Sequence, residues 1–295
     1  MSDAHTTVRL LVATRTDVGR VRAGNEDAFL AIDDGTLVAV ADGMGGHQAG
    51  EVASAMAIES LHDGLAQGVP IADAIEAANT AVVTRAAREL DLRGMGTTLT
   101  AGVLDGSRLV IGHVGDSRCY LLRDGALTQV TTDHSVVAEL IAAGELTEAE
   151  ALVDPRRAMI TRALGIDATV QVDVLDLDLE PGDRLLLCSD GLTTMVRDPA
   201  IAEILTSEPD RERAAAELVE AANLAGGADN ITVLVADVVT DADPVPEADN
   251  PEADNPDADD PDADDPDAEL EELPAAAEDE ASTPRRRWWQ RRKHA

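Results

Sequence analysis

The chain has 295 residues, of which 44% are hydrophobic, so it can bury a sizeable core. Its formal net charge of −35 is unevenly spread: residues 241–280 hold 19 acids and no bases, and residues 281–295 hold six bases and no acids. The tail therefore carries −13 and residues 1–240 carry −22. An acidic body argues against nonspecific binding to nucleic acid or to an anionic membrane, and it is compatible with bound divalent cations.

The first part of the chain alternates strand-like and helix-like patterns. Apolar runs predict strands at residues 9–14, 27–32 and 36–41. Ala-rich segments with apolar residues at helical spacing predict helices at residues 48–66 and 71–91.

A second group of strands follows, with an Arg-Asp-Gly hairpin signal at residues 123–125. Helical patterns return at residues 200–206 and 210–225. Grouped strands, grouped helices and hairpin connections indicate a mainly antiparallel α+β sandwich. The strands of this part are predicted at residues 96–104, 108–114, 118–123, 126–131, 170–179, 183–189 and 230–239.

The body is predicted to end near residue 240, giving one domain over residues 1–240. A five-residue repeat with proline at each first position occupies residues 246–270, so residues 241–284 are expected to form a disordered acidic linker. Residues 285–295 contain RRRWWQRRK. This basic, Trp-containing tail is most simply a tail without a fixed partner. The alternatives are contact with a membrane, with an acidic partner, with nucleic acid or with the chain's own acidic repeat.

The chain lacks the features of an exported or membrane-spanning protein. Its N-terminus has no basic start followed by a long apolar segment, and no run approaches the ~18 apolar residues of a spanning helix. Cys119 and Cys188 lie in apolar runs, which favours reduced core thiols. We therefore expect a cytoplasmic protein, with a monomer as the default.

Four predicted strand ends each carry a carboxylate beside Gly, Ser or Asn: Asp42, Asp116, Asp190 and Asp229. Each alone is typical of an ordinary turn. If the strands lie side by side, however, the four carboxylates share one place and repel unless a hard cation lies between them. Oxygen ligands without a Cys or His cluster favour Mg²⁺ or Mn²⁺ over Zn²⁺, and four or more acids suit two ions about 3.5–4 Å apart.

The stretch RAGNED at residues 22–27 adds Glu26 and Asp27 at the start of another strand. Arg22 precedes them, and a guanidinium beside bound metals would bind two oxygens of a substrate phosphate. The alternative for Arg22 is a surface salt bridge with Glu26. Glycines after Asp42, at Gly43, Gly45 and Gly46, would let the backbone approach the ions, and a carbonyl there is itself a candidate ligand.

Six stretches occur in the order found in the metal-dependent protein phosphatases, the type 2C serine/threonine class: RAGNED, ADGMGGH, GMGTTLTAGVL, HVGDSRCYLLRDG, LLLCSDGL and GGADNITVLVA. The chain most resembles the compact bacterial members, over about residues 8–240. The resemblance implies a four-layer α-β-β-α sandwich, in which two mainly antiparallel sheets are flanked by helices.

The resemblance also implies roles for the acids. Asp42 would bridge two metals, the Gly43 carbonyl would bind the second, and Asp190 and Asp229 would complete the first. Glu26 and Asp27 would hold metal-bound waters, Asp116 with Asp190 matches a third metal site, and Arg22 would bind the substrate phosphate. A hydroxide between the ions would attack phosphorus directly.

Some assignments stay open within the resemblance. His47 is a candidate general acid, and capping of the following helix is the alternative. Residues 133–165 match the family's flap, where His134 and Arg157 are candidate substrate contacts but are more simply solvated loop residues. Thr97 and Thr98 are expected to be β-structure residues rather than catalytic ones.

The sequence therefore predicts a Mn²⁺- or Mg²⁺-dependent phosphatase that removes phosphate from phosphoserine and phosphothreonine of proteins. Bacterial Ser/Thr kinases and their targets are plausible substrates. The alternative is a catalytically weak module of the same fold that binds phosphoproteins.

Overall fold

The computed structural model describes residues 7–32, 35–45 and 49–240. The chain divides into two units, Met1–Pro244 and Val245–Ala295. The predicted acidic linker and basic Trp tail lie outside the described residues, so the predicted domain limits stay predictions. No helix in the described residues is both long enough and apolar enough to cross a bilayer.

The strands are short and all pair in antiparallel fashion. In chain order they are β1 (Val8–Asp17), β2 (Asp27–Ala31), β3 (Leu37–Met44), β4 (Gly96–Thr97), β5 (Leu99–Asp105), β6 (Arg108–Val114), β7 (Arg118–Arg123), β8 (Ala126–Gln129), β9 (Asp173–Asp178), β10 (Arg184–Cys188) and β11 (Ile231–Thr240).

These strands form two sheets. The first has the order β1-β11-β10-β7-β8, and the second has the order β2-β3-β5-β6-β9, with β4 paired to β3. The α-helices of the described residues are α1 (Ala49–Ala66), α2 (Ile71–Arg88), α3 (Val136–Ala142), α4 (Glu148–Ala151), α5 (Asp190–Thr193), α6 (Asp198–Ser207) and α7 (Arg211–Leu224), and a short 3-10 helix spans Leu90–Leu92.

Three apolar layers hold the elements together. One lies between the sheets and includes Val40 and Leu187. A second joins α1 and α2 to the second sheet, and a third joins α6 and α7 to the first sheet. The predicted four-layer α-β-β-α order is thus present, and burial of these apolar surfaces is the main source of its stability.

Strand β10 explains why the sequence around it is continuously apolar. All five of its residues are buried, with Leu185 and Leu187 facing the layer between the sheets and Leu186 and Cys188 facing the helices. A strand covered on both faces needs no polar alternation. Strand β9, covered on one face, alternates as predicted.

The hairpin signal is confirmed. Arg123 pairs with Ala126, and Asp124 and Gly125 between them have φ of 52° and 76°. Two successive left-handed residues form the turn whose twist suits a two-residue hairpin. Both cysteines are buried free thiols, as expected.

Candidate active site

Both sheets deliver carboxylates to one edge of the sandwich. From the second sheet, Asp27 begins β2 opposite Asp42 in the β2–β3 register, and Asp116 follows β6. From the first sheet, Asp190 follows β10 at the start of α5, and Asp229 precedes β11. Antiparallel partners directly opposite each other point to the same face, so the β2–β3 pairing forces two acids together.

Asp42 and Asp190 come from different sheets and lie close enough for their charges to interact. Burial, followed by the charges of Asp27 and Asp190, raises the pKa of Asp42 far above its ordinary range. Burial, followed by the charge of Asp229, also raises the pKa of Asp190. Without a cation, this edge therefore holds protons that ordinary aspartates would release near neutral pH.

Asp27 has an oxygen without a partner. The Ser189 hydroxyl donates to its Oδ2 at 2.8 Å, whereas Oδ1 is buried without a hydrogen-bond partner. Burial raises the pKa of Asp27 to about 7. Burial, followed by the charge of Asp190, raises the pKa of Asp116 to about 7 as well. An orphaned buried carboxyl oxygen is costly in itself and marks a place for a water or an ion.

The backbone of Asp42 is held on both sides. Its N–H donates to the Thr98 hydroxyl at 2.9 Å, and its carbonyl accepts from the Thr97 hydroxyl and the Thr98 N–H, each at 2.9 Å. These threonines were expected to be only β-structure residues, but they also fix the central acid of the site.

Gly43 packs against the first turn of α1. A Cβ at Gly43 would collide with the carbonyl oxygens of Gly50 and Glu26. The Gly43 N–H donates to the Glu26 carbonyl at 3.2 Å, and the Ser54 hydroxyl donates to the same carbonyl at 2.6 Å. The glycine is therefore required by helix packing, a reason that the sequence analysis did not give. The predicted approach of Gly43 and Gly45 to ions stays a prediction, and Gly46 lies outside the described residues.

Arg22 contacts Asp229 rather than serving as a simple surface partner of Glu26. Its guanidinium donates to Asp229 Oδ2 at 2.6 Å, and 47% of its side chain is exposed. The two residues are 207 positions apart in the chain. The Glu26 side chain lies instead against Gly50 at the start of α1, where burial raises its pKa.

Asn230 braces the segment that carries Arg22, and the sequence analysis missed it. Its Oδ1 accepts from the Glu26 N–H at 2.8 Å, and its Nδ2 donates to the carbonyls of Val18 and Gly24, each at 2.9 Å. The side chain is buried with all these bonds made. Its position directly after Asp229 was the only available signal.

The donor set is made of oxygens, which suits a hard divalent cation. In the described part of the chain, no group of three or more His, Cys, Asp or Glu side chains has by itself the geometry of a metal site. The fit therefore depends on the donor chemistry, on the unpartnered Asp27 oxygen, and on the raised pKa values of Asp42 and Asp190.

The remaining predicted residues fall into two groups. His47, the candidate general acid, lies outside the described residues. In the flap segment (residues 133–165), Arg157 is exposed, but His134 is 3% exposed and fully engaged in hydrogen bonds. The expectation of a solvated loop histidine was therefore wrong, because a loop residue can be buried beneath its own segment.

Comparison with known proteins now identifies the chain. A family model described as Protein phosphatase 2C matches residues 20–223. The chain belongs to the protein phosphatase 2C family.

Sequence relatives of this phosphatase 2C chain carry matching names. The serine/threonine phosphatase stp of Listeria monocytogenes is 44% identical over 236 residues, which cover 76% of this chain and 94% of that protein. The serine/threonine protein phosphatase PstP of Mycobacterium tuberculosis is 46% identical over 243 residues, covering 80% of this chain and 46% of that protein.

Solved structures agree. The Mycobacterium tuberculosis serine/threonine phosphatase PstP/Ppp matches with a TM-score of 0.72 and 46% identity, over 77% of this chain and 98% of that one. The PstP catalytic domain in complex with two manganese ions also matches with a TM-score of 0.72, at 45% identity. This match covers 79% of this chain and 100% of that one. The predicted family, four-layer fold and serine/threonine phosphatase class are confirmed, whereas the roles of single residues stay predictions.

Proposed function

We propose that this chain hydrolyses phosphoserine and phosphothreonine monoesters of proteins with the help of Mn²⁺ or Mg²⁺. The observation that carries the proposal is the meeting of partly buried acids from both sheets at one edge. Asp27 and Asp42 come from the β2–β3 pair, while Asp190 and Asp229 come from the first sheet. A purely structural edge would gain stability by losing these charges.

Two ions are assigned to this edge. Asp42 would touch both, with Asp190 and Asp229 on one and the Gly43 carbonyl on the other. When bound, such ions supply a water of lowered pKa and neutralise charge on the phosphoryl group. The complex of PstP with two manganese ions supports this assignment.

Three further acids are assigned to positions around the two ions. The free Oδ1 of Asp27 is available to orient a water, because Ser189 already holds the other oxygen. Glu26 is assigned a similar role from its place at the start of α1. Asp116, whose pKa is raised by burial and then by the charge of Asp190, is assigned with Asp190 to a third ion.

Arg22 is assigned to the substrate phosphate. It is half exposed and reaches the carboxylate cluster from the solvent side. A phosphate dianion offers the guanidinium two oxygens and a stronger charge-assisted contact than a single carboxylate oxygen. Substrate binding would therefore compete with the Arg22–Asp229 ion pair.

The physiological substrates and the cellular location can be proposed only as broad classes. The names of the relatives support phosphoproteins as the substrate class. Bacterial Ser/Thr kinases and their targets, and a cytoplasmic location, remain our proposals from the sequence. The predicted contact of the basic Trp tail with a membrane or an acidic partner also remains a proposal.

One assay tests the proposal. Purified full-length chain is incubated with an aryl phosphate and with a phosphothreonine peptide, with and without Mn²⁺, beside Asp190→Ala. Mn²⁺-dependent phosphate release that the substitution abolishes supports it. Absence of turnover in the parent protein, together with retained peptide binding, would favour the phosphoprotein-binding module instead.

A further inference from the structure

His134 belongs to the flap segment, yet it holds the residue that precedes Asp116. Its main-chain N–H donates to the Gly115 carbonyl at 2.8 Å, and its Nδ1 accepts from the Gly115 N–H at 3.0 Å. The ring is buried, with 3% of its surface exposed. One histidine therefore satisfies both backbone polar groups of Gly115.

Gly115 lies in a conformation that few other residues adopt. Its φ is 115°, and a Cβ there would lie against the Thr98 side chain. Thr98 is itself fixed by hydrogen bonds to the Asp42 N–H and to the Ser117 hydroxyl. The direction in which Asp116 points thus depends on how this glycine is held, because the turn has no regular strand pairing of its own.

The hydrogen bonds decide the tautomer of His134. The Gly115 N–H can only donate, so Nδ1 carries no proton and Nε2 carries the ring proton. Nε2 then donates to Asp173 Oδ2 at 3.1 Å, and Asp173 Oδ1 accepts from Arg162 at 2.7 Å. The ring therefore links the Asp116 turn to the start of β9 and to the far end of the flap.

The backbone of the flap closes at the same point. The Thr161 N–H donates to the His134 carbonyl at 2.7 Å, and the Val136 N–H donates to the Met159 carbonyl at 2.9 Å. The two ends of the flap are thus joined at His134. A displacement of the flap would act on Gly115 through the same residue.

We propose that His134 is a positioning residue that couples the flap segment to the turn presenting Asp116. It contacts neither the substrate site at Arg22 nor the acids assigned to the metals, and it acts through Gly115 and Asp173. The role in catalysis rests on the proposed phosphatase function; the coupling itself does not.

Two substitutions separate the two ring contacts. In His134→Asn the side-chain oxygen lies close to the place of Nδ1 and retains the acceptor for Gly115, whereas in His134→Gln the longer amide reaches Asp173 and loses that acceptor. Asp173→Asn weakens the flap contact without touching the ring and serves if a His134 variant fails to fold. Tyr120→Phe, which removes a buried hydroxyl bound to Arg118 and Asp198, is the control.

The first readout is hydrogen–deuterium exchange of the metal-free full chain. We expect exchange in peptides covering residues 113–118 to rise about tenfold in His134→Gln, the effect of losing one buried hydrogen bond. His134→Asn and Asp173→Asn are expected to spare that peptide and to speed exchange at residues 159–165. Tyr120→Phe is expected to change neither.

The second readout is the Mn²⁺ concentration for half-maximal hydrolysis of an aryl phosphate, which should rise in His134→Gln more than in His134→Asn. Equal exchange and equal Mn²⁺ requirement in the two His134 variants would overturn the proposal, because a merely space-filling ring predicts equal effects. If the parent protein has no phosphatase activity, the proposed function fails, while the exchange experiment still decides the coupling.

Discussion

Asp27 and Asp42 face each other across the β2–β3 pair, and the hydrogen-bond register leaves them no way to separate. Side chains directly opposite in antiparallel strands lie about 4.5–5.5 Å apart at Cβ, so two like charges here destabilise the pair. The fold tolerates them because one face of the pair opens to the other carboxylates and to whatever cation they bind. The stability of this edge is thus linked to its ligand.

Asp190→Asn tests this linkage. The amide matches the carboxyl in size but removes its charge, so the metal-free variant should melt about 2–8 °C higher, the shift that about 1–2 kcal/mol produces in a domain of this size. Added Mn²⁺ should stabilise it less than the parent protein, and aryl phosphate turnover should fall to background. Asp176→Asn, at an exposed pair with Arg108, is the control and should change neither property. A metal-free variant that melts lower than the parent would contradict the repulsion argument.

The pH dependence of Mn²⁺ stabilisation is a second test. In the unfolded chain, Asp27 and Asp116 have the ordinary aspartate pKa of about 3.9. In the fold, the pKa of each is about 7. The folded state therefore binds more protons than the unfolded state in this window, and the metal-free fold loses stability as the pH rises from about 4 to about 7. Ions compete with those protons, so the rise in Tm on adding Mn²⁺ should be larger at pH 8 than at pH 6.

The comparison must be made at fixed pH. Burial lowers the pKa of His113 to about 4, with His134 as a second cause. Because of this histidine, the fold loses stability as the pH falls from about 6.5 to about 4, whereas the two acids make it lose stability as the pH rises. Its effect cancels when melting with and without Mn²⁺ is compared at the same pH. A Mn²⁺-induced shift that is equal at both pH values would show that the acids are not its source.

The architecture was predictable from local patterns. The continuous apolar run of β10 and the alternation of β9 reflect burial on two faces and on one face. The Asp-Gly turn after Arg123 required only local chemistry. The grouping of acids at one edge followed from strand ends that each terminate in a carboxylate, because a sandwich brings such ends together.

The supporting contacts were not predictable in the same way. Arg22 and Asp229 are 207 positions apart, and Asn230 reaches the carbonyls of Val18 and Gly24, which are 212 and 206 positions away. From the local sequence, the only nearby candidate for a salt bridge with Arg22 was Glu26. The role of Thr98 likewise depends on β3 and β5 being neighbours, which no local pattern reveals.

Asn230→Ala should disable the Arg22 segment while leaving the sandwich folded. It removes three hydrogen bonds and leaves the Glu26 N–H and two carbonyls to find water, at a cost of about 1–3 kcal/mol. The expected signature is a raised KM for phosphopeptide and faster hydrogen–deuterium exchange at residues 18–26.

Asn79→Ala is a matched control, since Asn79 is equally buried and binds Gly165 and Asp167 instead. It should lower Tm without raising exchange at residues 18–26. Equal exchange effects of the two substitutions would refute a specific brace.

Gly43→Ala tests the packing of the central acid against α1. The added methyl would meet the Gly50 and Glu26 carbonyl oxygens, which belong to backbone and cannot turn away. We expect a loss of at least about 2 kcal/mol of unfolding free energy, in line with overpacked cores, measured by urea denaturation. Gly24→Ala, where a Cβ meets nothing within 4 Å, should be neutral. A Gly43→Ala protein as stable as the Gly24→Ala protein would mean that this turn is looser than described.

Arg22→Lys separates charge from geometry at the proposed phosphate site. Lysine keeps the positive charge near Asp229 but cannot offer two parallel N–H donors to a phosphate. We expect kcat/KM for a phosphothreonine peptide to fall about 10–100-fold, the equivalent of about 1–3 kcal/mol, while Tm stays near that of the parent because the ion pair is half exposed and contributes little. Arg15→Lys, at a half-exposed pair with Glu212, is the control and should leave kcat/KM unchanged. If Arg22→Lys retained full kcat/KM, the guanidinium would be only a partner of Asp229, and phosphate recognition would have to be sought elsewhere along this edge.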